Sequence, residues 1–151
     1  MIAIKALKQF KYWDIVLTVV GVFIFYQLLG VVLGTSHPVD VVVSNSMLPN
    51  MKPGDLIVCM KGKPKINEVV IYSGIRKYPI IHRVIGINDS YCRGANPWKI
   101  KIENETCYTI KGDNNKIRDP PVTEGQIICV VKAKIPYLGY PRYLIFKVFG
   151  I

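Results

Sequence analysis

Ile15 to Leu33 is a run of 19 residues without a formal charge, IVLTVVGVFIFYQLLGVVL. At 1.5 Å rise per residue it would extend about 28 Å as a helix, close to the hydrocarbon thickness of a bilayer. A chain with such a segment cannot fold wholly into a water-soluble core, and the rest of its 151 residues suffices for one modest domain. Apolar residues make up 50% of the composition and mean hydropathy is positive, as expected of a membrane-attached protein. Lys5, Lys8 and Lys11 precede the run, with Asp14 the sole acid there. The positive-inside rule therefore predicts a cytoplasmic basic segment over 1–14, a single transmembrane helix over 15–33 and an extracytoplasmic domain over 38–151, in the cell membrane. The rival reading is a cleaved signal peptide with Gly34-Thr35-Ser36 as its small-x-small site. Against it, the run is longer than the roughly 7 to 15 apolar residues of such a leader.

Beyond Pro38 the pattern changes to short segments rich in Val, Ile and Tyr. Strands are predicted at Val39–Val43, Leu56–Met60, Glu68–Tyr72, Ile80–Ile87, Trp98–Ile102, Tyr108–Lys111 and Gln126–Lys134, separated by Gly, Pro, Asn and Asp clusters. Such an array predicts a mostly β protein, with a small coiled, mainly antiparallel sheet or partial barrel behind the anchor.

The formal net charge of +10 favours anionic surfaces. A basic domain held beside a bilayer meets lipid headgroups first, so lipid rather than nucleic acid is the expected partner. Lys132, Lys134, Arg142 and Lys147 are interleaved with Tyr137, Tyr140, Tyr143, Phe146 and Phe149 in the last twenty positions, which contain no acid. This basic, aromatic tail is expected to lie against the membrane; its apolar run from Tyr143 is too short to cross it.

Three clusters could carry chemistry. Ser44-Asn45-Ser46-Met47-Leu48-Pro49 follows the anchor, His82 lies within Ile80–Ile87, and Gly112-Asp113-Asn114-Asn115 is followed by Asp119. Each has a bland reading, as a turn, a packed strand residue or a backbone cap. A serine hydroxyl becomes a useful nucleophile near neutral pH only when a base takes its proton. Imidazole suits that role, and an acid must orient the imidazole. Ser46, His82 and either Asp113 or Asp119 supply those residue types. Strand alternation makes His82 and Arg83 point apart, so one of them can face a cleft.

The ordered set resembles the type I signal peptidases, in their archaeal and endoplasmic-reticulum branch. It comprises an amino-terminal anchor, SNSMLP, Pro53-Gly54-Asp55-Leu56, IIHRVIGI, KGDNN with its following aspartate, and VVKAKIPYLGY, and it covers nearly the whole chain. In the bacterial branch a lysine stands where this chain has His82. The resemblance implies a serine endopeptidase that cleaves after small residues to remove signal peptides from exported preproteins, without a cofactor. It implies Ser46 as nucleophile, His82 as general base and Asp119 as the orienting acid with Asp113 its neighbour. An oxyanion hole would be formed by the Ser46 N–H and the Ser44 hydroxyl. It also implies that extended substrate adds as a strand, and it leaves open association with the secretion machinery.

The stretch between His82 and Gly112 is longer than in the compact family pattern. It carries Cys92, Cys107 and two N-x-Ser/Thr sequons, at Asn88 and Asn104. An extracytoplasmic location would allow a flap tied by a Cys92–Cys107 disulfide and glycosylated; a reducing location would leave two thiols. Cys59 and Cys129 lie in apolar strands and are expected in the core. With no C-x-x-C pairing, no metal site is expected.

Two alternatives remain at this level. A non-enzymatic membrane-anchored β adaptor would use SNSM and GDNN merely as turns. A self-cleaving repressor-type protease would need a lysine base and a DNA-binding domain, neither of which is evident.

Overall fold

The computed structural model describes residues 12–74 and 78–149; the predicted cytoplasmic segment with Lys5, Lys8 and Lys11 lies almost wholly outside them. Helix α1 spans Tyr12–Leu33 and has no buried residue, so it is apolar on every side and long enough to cross a bilayer. Its end is closed by Gly34 at φ +64°, with Gly34 N–H donating to the Val31 carbonyl and Thr35 N–H to that of Gly30. The junction is built into the domain. Lys61 N–H donates to the Leu33 carbonyl at 2.9 Å, and Thr35 and Pro38 are buried.

The domain is one antiparallel sheet of seven strands in the order β1-β2-β7-β3-β4-β5-β6, as the β reading anticipates. These are β1 Val39–Val41, β2 Leu56–Met60, β3 Val69–Tyr72, β4 Ile80–Ile87, β5 Cys107–Lys111, β6 Val122–Thr123 and β7 Ile127–Ile135. The inner strand β3 is buried at every position and alternates its side chains between two cores. Val69 and Ile71 pack with Val42, Met47, Ile57 and Cys129. Val70 and Tyr72 pack with Val84, Tyr108, Ile110 and Val130. Met47, adjacent to Ser46, is 1% exposed and so anchors the serine loop in the first core.

Three features differ from the sequence expectation. Trp98–Ile102 is not a strand, although Arg93 and Lys101 form an isolated bridge. The buried Asn96 side chain instead binds the N–H and C=O of Ile100 and the carbonyl of Tyr91, taking backbone groups that a ladder would use. The seventh strand is Val122–Thr123, which pairs with Cys107 and Tyr108. Finally, the basic aromatic tail contains a helix, α2, over Tyr140–Phe149.

Two disulfides are present, Cys59–Cys129 and Cys92–Cys107. The first pair is fully buried, as expected for core residues, but the bond between them was not anticipated. The second closes the flap, on which Asn88 and Asn104 are both exposed.

Helix α2 docks on the strand that follows α1. Gly139 N–H donates to the Gly54 carbonyl at 2.9 Å, and Arg142 Nη2 lies 3.3 Å from Asp40 Oδ1. The Tyr26 hydroxyl of α1 donates to the Val39 carbonyl at 3.5 Å. Asp55 of the Pro53-Gly54-Asp55-Leu56 box is structural. Its buried carboxylate accepts from the N–H groups of Lys52 and Tyr137, binding the β1–β2 turn to the segment that leads into α2.

Candidate active site

The GDNN turn clasps the serine loop. Asn114 N–H donates to the Ser46 carbonyl at 2.8 Å, and Asn114 Nδ2 donates to the Asn45 carbonyl at 3.2 Å. Asn50 Nδ2 donates to Asp113 Oδ2 at 2.8 Å. Segments more than sixty residues apart in sequence are thus joined by one backbone bond and two bonds from asparagine side chains. Gly112 is required by this contact, because a Cβ there would sit 2.7 Å from the Ser46 carbonyl oxygen and 2.8 Å from His82 Nε2. The serine loop and the imidazole therefore flank one glycine.

His82 comes from β4 and is 6% exposed. Its Nδ1 is 2.5 Å from Asp119 Oδ2. An ionised carboxylate only accepts, so Nδ1 carries the proton and Nε2 keeps its lone pair. Asn115 Nδ2 lies 3.5 Å from that Nε2. Ser44 Oγ and Ser46 Oγ are 3.0 Å apart. Ser44, Ser46, His82, Asn115 and Asp119 together line a cavity of about 350 Å³ whose apolar wall includes Val42, Ile81 and Phe146. The two hydroxyls and the imidazole thus share one cavity, with Asp119 on the far ring nitrogen of His82.

Asp113 faces elsewhere. Both of its oxygens take Arg83, from Nε at 2.8 Å and from Nη2 at 2.7 Å, while Arg83 Nη1 donates to the Asn67 carbonyl. The hydrogen bond to Arg83 is the main reason that its carboxyl stays below the ordinary range; burial opposes this, and Asn50 and the remaining charge of Arg83 add to it. The Arg83 guanidinium is correspondingly raised by Asp113. Alternation along β4 sends His82 to Asp119 and Arg83 to Asp113, so one loop meets two successive strand residues through two aspartates.

Asp119 is itself fixed through its backbone. Its N–H donates to the Ile110 carbonyl at 2.9 Å, and the Tyr91 hydroxyl of the flap donates to its carbonyl at 3.2 Å. The Tyr91 ring is covered by the Arg118 guanidinium, 5.2 Å from its centroid. Tyr91, Asn115, Asn50 and Phe146 were not singled out for the site by sequence reasoning. Asn115 stood within the quoted GDNN, and Phe146 was assigned with the tail to the bilayer, whereas its half-buried side chain lines the cavity. Among the described residues no cluster of His, Cys, Asp and Glu is suited to hold a metal ion.

No family model matches the chain. Individual proteins do. The signal peptidase complex catalytic subunit sec11 of Schizosaccharomyces pombe is 30% identical over 156 residues, covering 83% of this chain and 76% of the relative. The SEC11 subunit of Yarrowia lipolytica is 29% identical over 135 residues, covering 82% and 72%. That of Ajellomyces capsulatus is 28% identical over 148 residues, covering 90% and 78%. The resemblance carried by the ordered motifs is thereby borne out: the chain belongs to the type I signal peptidases, in the branch of the SEC11 catalytic subunits.

Proposed function

We propose that this protein is a membrane-anchored serine endopeptidase that removes signal peptides from preproteins by cutting after small residues. Ser46 Oγ attacks the scissile carbonyl carbon while its proton passes to His82 Nε2. The negative oxygen of the tetrahedral intermediate accepts from the Ser46 N–H and the Ser44 hydroxyl. One such donor is worth about 3 kcal/mol of transition-state stabilisation. The C–N bond then breaks, and the new amino terminus of the mature chain leaves with the proton from His82. Water, deprotonated by His82, attacks the acyl-Ser46 ester, which releases the signal peptide with a free carboxyl group and restores the serine.

The observation that carries this reading is the 2.5 Å contact of Asp119 with His82 Nδ1. It leaves Nε2 as the acceptor beside a cavity that Ser44 and Ser46 also line. Asp119 is the orienting acid; Asp113 holds the loop that presents it.

In this reading α1 is a single-pass anchor, residues 1–14 are cytoplasmic, the catalytic domain lies outside, and enzyme and substrates share the cell membrane. Confinement of both to the bilayer raises their effective concentration and fixes the height at which the bond is cut. The relatives are named as subunits of a signal peptidase complex, and this chain acts on preproteins in the same setting beside the secretion machinery. Full-length protein in phospholipid vesicles, given a preprotein, should release the mature chain, and Ser46→Ala should fold normally yet release none. Equal processing by Ser46→Ala would exclude a serine mechanism and return the chain to the adaptor class.

A further inference from the structure

The site cavity continues into a second, larger groove of about 610 Å³. The two share Ile80, Asn115 and Asp119 as common lining. Beyond that junction the groove is walled by Trp98 and Ile100 of the flap and by Ile117 and Pro120 of the loop that carries Asp119. Trp98, Ile100 and Ile117 are 39%, 37% and 68% exposed, an apolar surface that no part of the described chain fully covers. Lys116 and Arg118 add positive charge to it, and Asp119, already engaged by His82, is its sole acid.

Direction follows from a wall of the site cavity that the groove does not share. That wall is Phe146 of α2, the helix whose Arg142 meets Asp40 directly after the anchor. The outer side chains Leu144, Ile145, Val148 and Phe149 of that helix are more than half exposed, as suits contact with lipid. A signal segment leaving the bilayer therefore enters at the Phe146 end. The chain beyond the scissile bond leaves at the end marked by Ile80, Asn115 and Asp119, which opens into the groove.

We propose that this groove binds the first residues on the carboxyl side of the scissile bond, in extended form, and favours apolar and acidic side chains there. The inference rests on the protease reading above. Its volume lies within the range of small-ligand and peptide sites, and the apolar walls supply affinity while the two cations select against basic residues.

The test uses two peptides identical through the scissile bond, one continued by glycine and serine, the other by alternating leucine and aspartate. Full-length protein in detergent micelles should cleave the second about tenfold better in kcat/KM, chiefly through KM, since one buried apolar side chain accounts for a factor of that size. Ile117→Ser and Lys116→Glu change exposed side chains, and each should bring the ratio toward one. A ratio of one in the wild type, or a ratio unchanged in both variants, would overturn the proposal while leaving the Ser46 chemistry intact. So would a loss seen in lipid vesicles but absent in micelles, which would assign the apolar surface to the membrane. Absence of Ser46-dependent cleavage of either peptide would remove the protease reading together with the groove.

Discussion

Asp113 binds Arg83 through both carboxylate oxygens, at 2.8 and 2.7 Å, whereas the neighbouring His82 is engaged by Asp119. The two aspartates thus hold different parts of one assembly. Asp113 ties β4 to the serine loop through Asn50, and Asp119 fixes the imidazole.

Stability should report the first of these roles. The Asp113 carboxyl is held below its ordinary value chiefly by Arg83. A lowered folded value means stability that is present above the unfolded value of about 4 and is lost as pH falls through the folded one. Glu68, lowered chiefly by its hydrogen bond from Lys132, acts in the same sense. Thermal unfolding in detergent between pH 7 and pH 2 should show a steep acid decline that flattens in Asp113→Asn. Arg83→Ala should cost about 2 kcal/mol at neutral pH, as expected for charged hydrogen bonds that are partly exposed.

Catalysis should report the second. Asp119→Asn keeps the shape of the side chain but can hold the wrong imidazole tautomer, so kcat should fall about 1,000- to 10,000-fold with little change in KM. Asp113→Asn should lose far less. Steady-state cleavage of a preprotein compares the two, and a larger kcat loss in Asp113→Asn would reverse their assignment.

Gly112 offers a geometric test. A methyl group there meets the Ser46 carbonyl, Asn115 Nδ2 and His82 Nε2 within 2.8 Å, so Gly112→Ala must displace the serine loop or the imidazole. A shift of about 1 Å reduces turnover by roughly 100-fold. The expected result is a loss of kcat on that order in a protein that still folds, measured by cleavage beside near-ultraviolet circular dichroism.

Unfolded protein should show no reactive thiol without reductant and four with it, since all four cysteines are bonded. Four thiols without reductant would remove both bonds. Cys92 and Cys107 are 15 residues apart, and chain entropy sets the cost of replacing both by serine at about 3 kcal/mol. Because Tyr91, beside Cys92, donates to the Asp119 carbonyl, the same variant should also lower kcat.

Features that depend on local composition were readable from the chain. The charge-free run from Ile15 to Leu33 announces α1, and alternating Val and Ile with Gly and Pro between them announce most strands. Features that depend on register or on a side chain's competing bonds were not. Trp98–Ile102 has strand composition, yet the Asn96 amide takes the Ile100 backbone. Val122–Thr123 is too short, after two prolines, to give a periodic signal. Cys59 and Cys129 meet because β2 and β7 are neighbours in the sheet, which their separation of 70 residues does not reveal. In the site, the order of Ser46, His82 and the two aspartates was legible. Which aspartate faces His82 depends on the path of the loop after GDNN; residue types alone left both open, the resemblance favoured Asp119, and Asp119 is the one against Nδ1.

The proton acceptor is the centre of the account, and His82→Ala tests it most directly. Full-length wild type and variant, matched for folding in detergent, are given one preprotein, and the rate of mature-chain release is followed. The account predicts a fall of at least 1,000-fold for His82→Ala. Cleavage by that variant at the wild-type rate would contradict it.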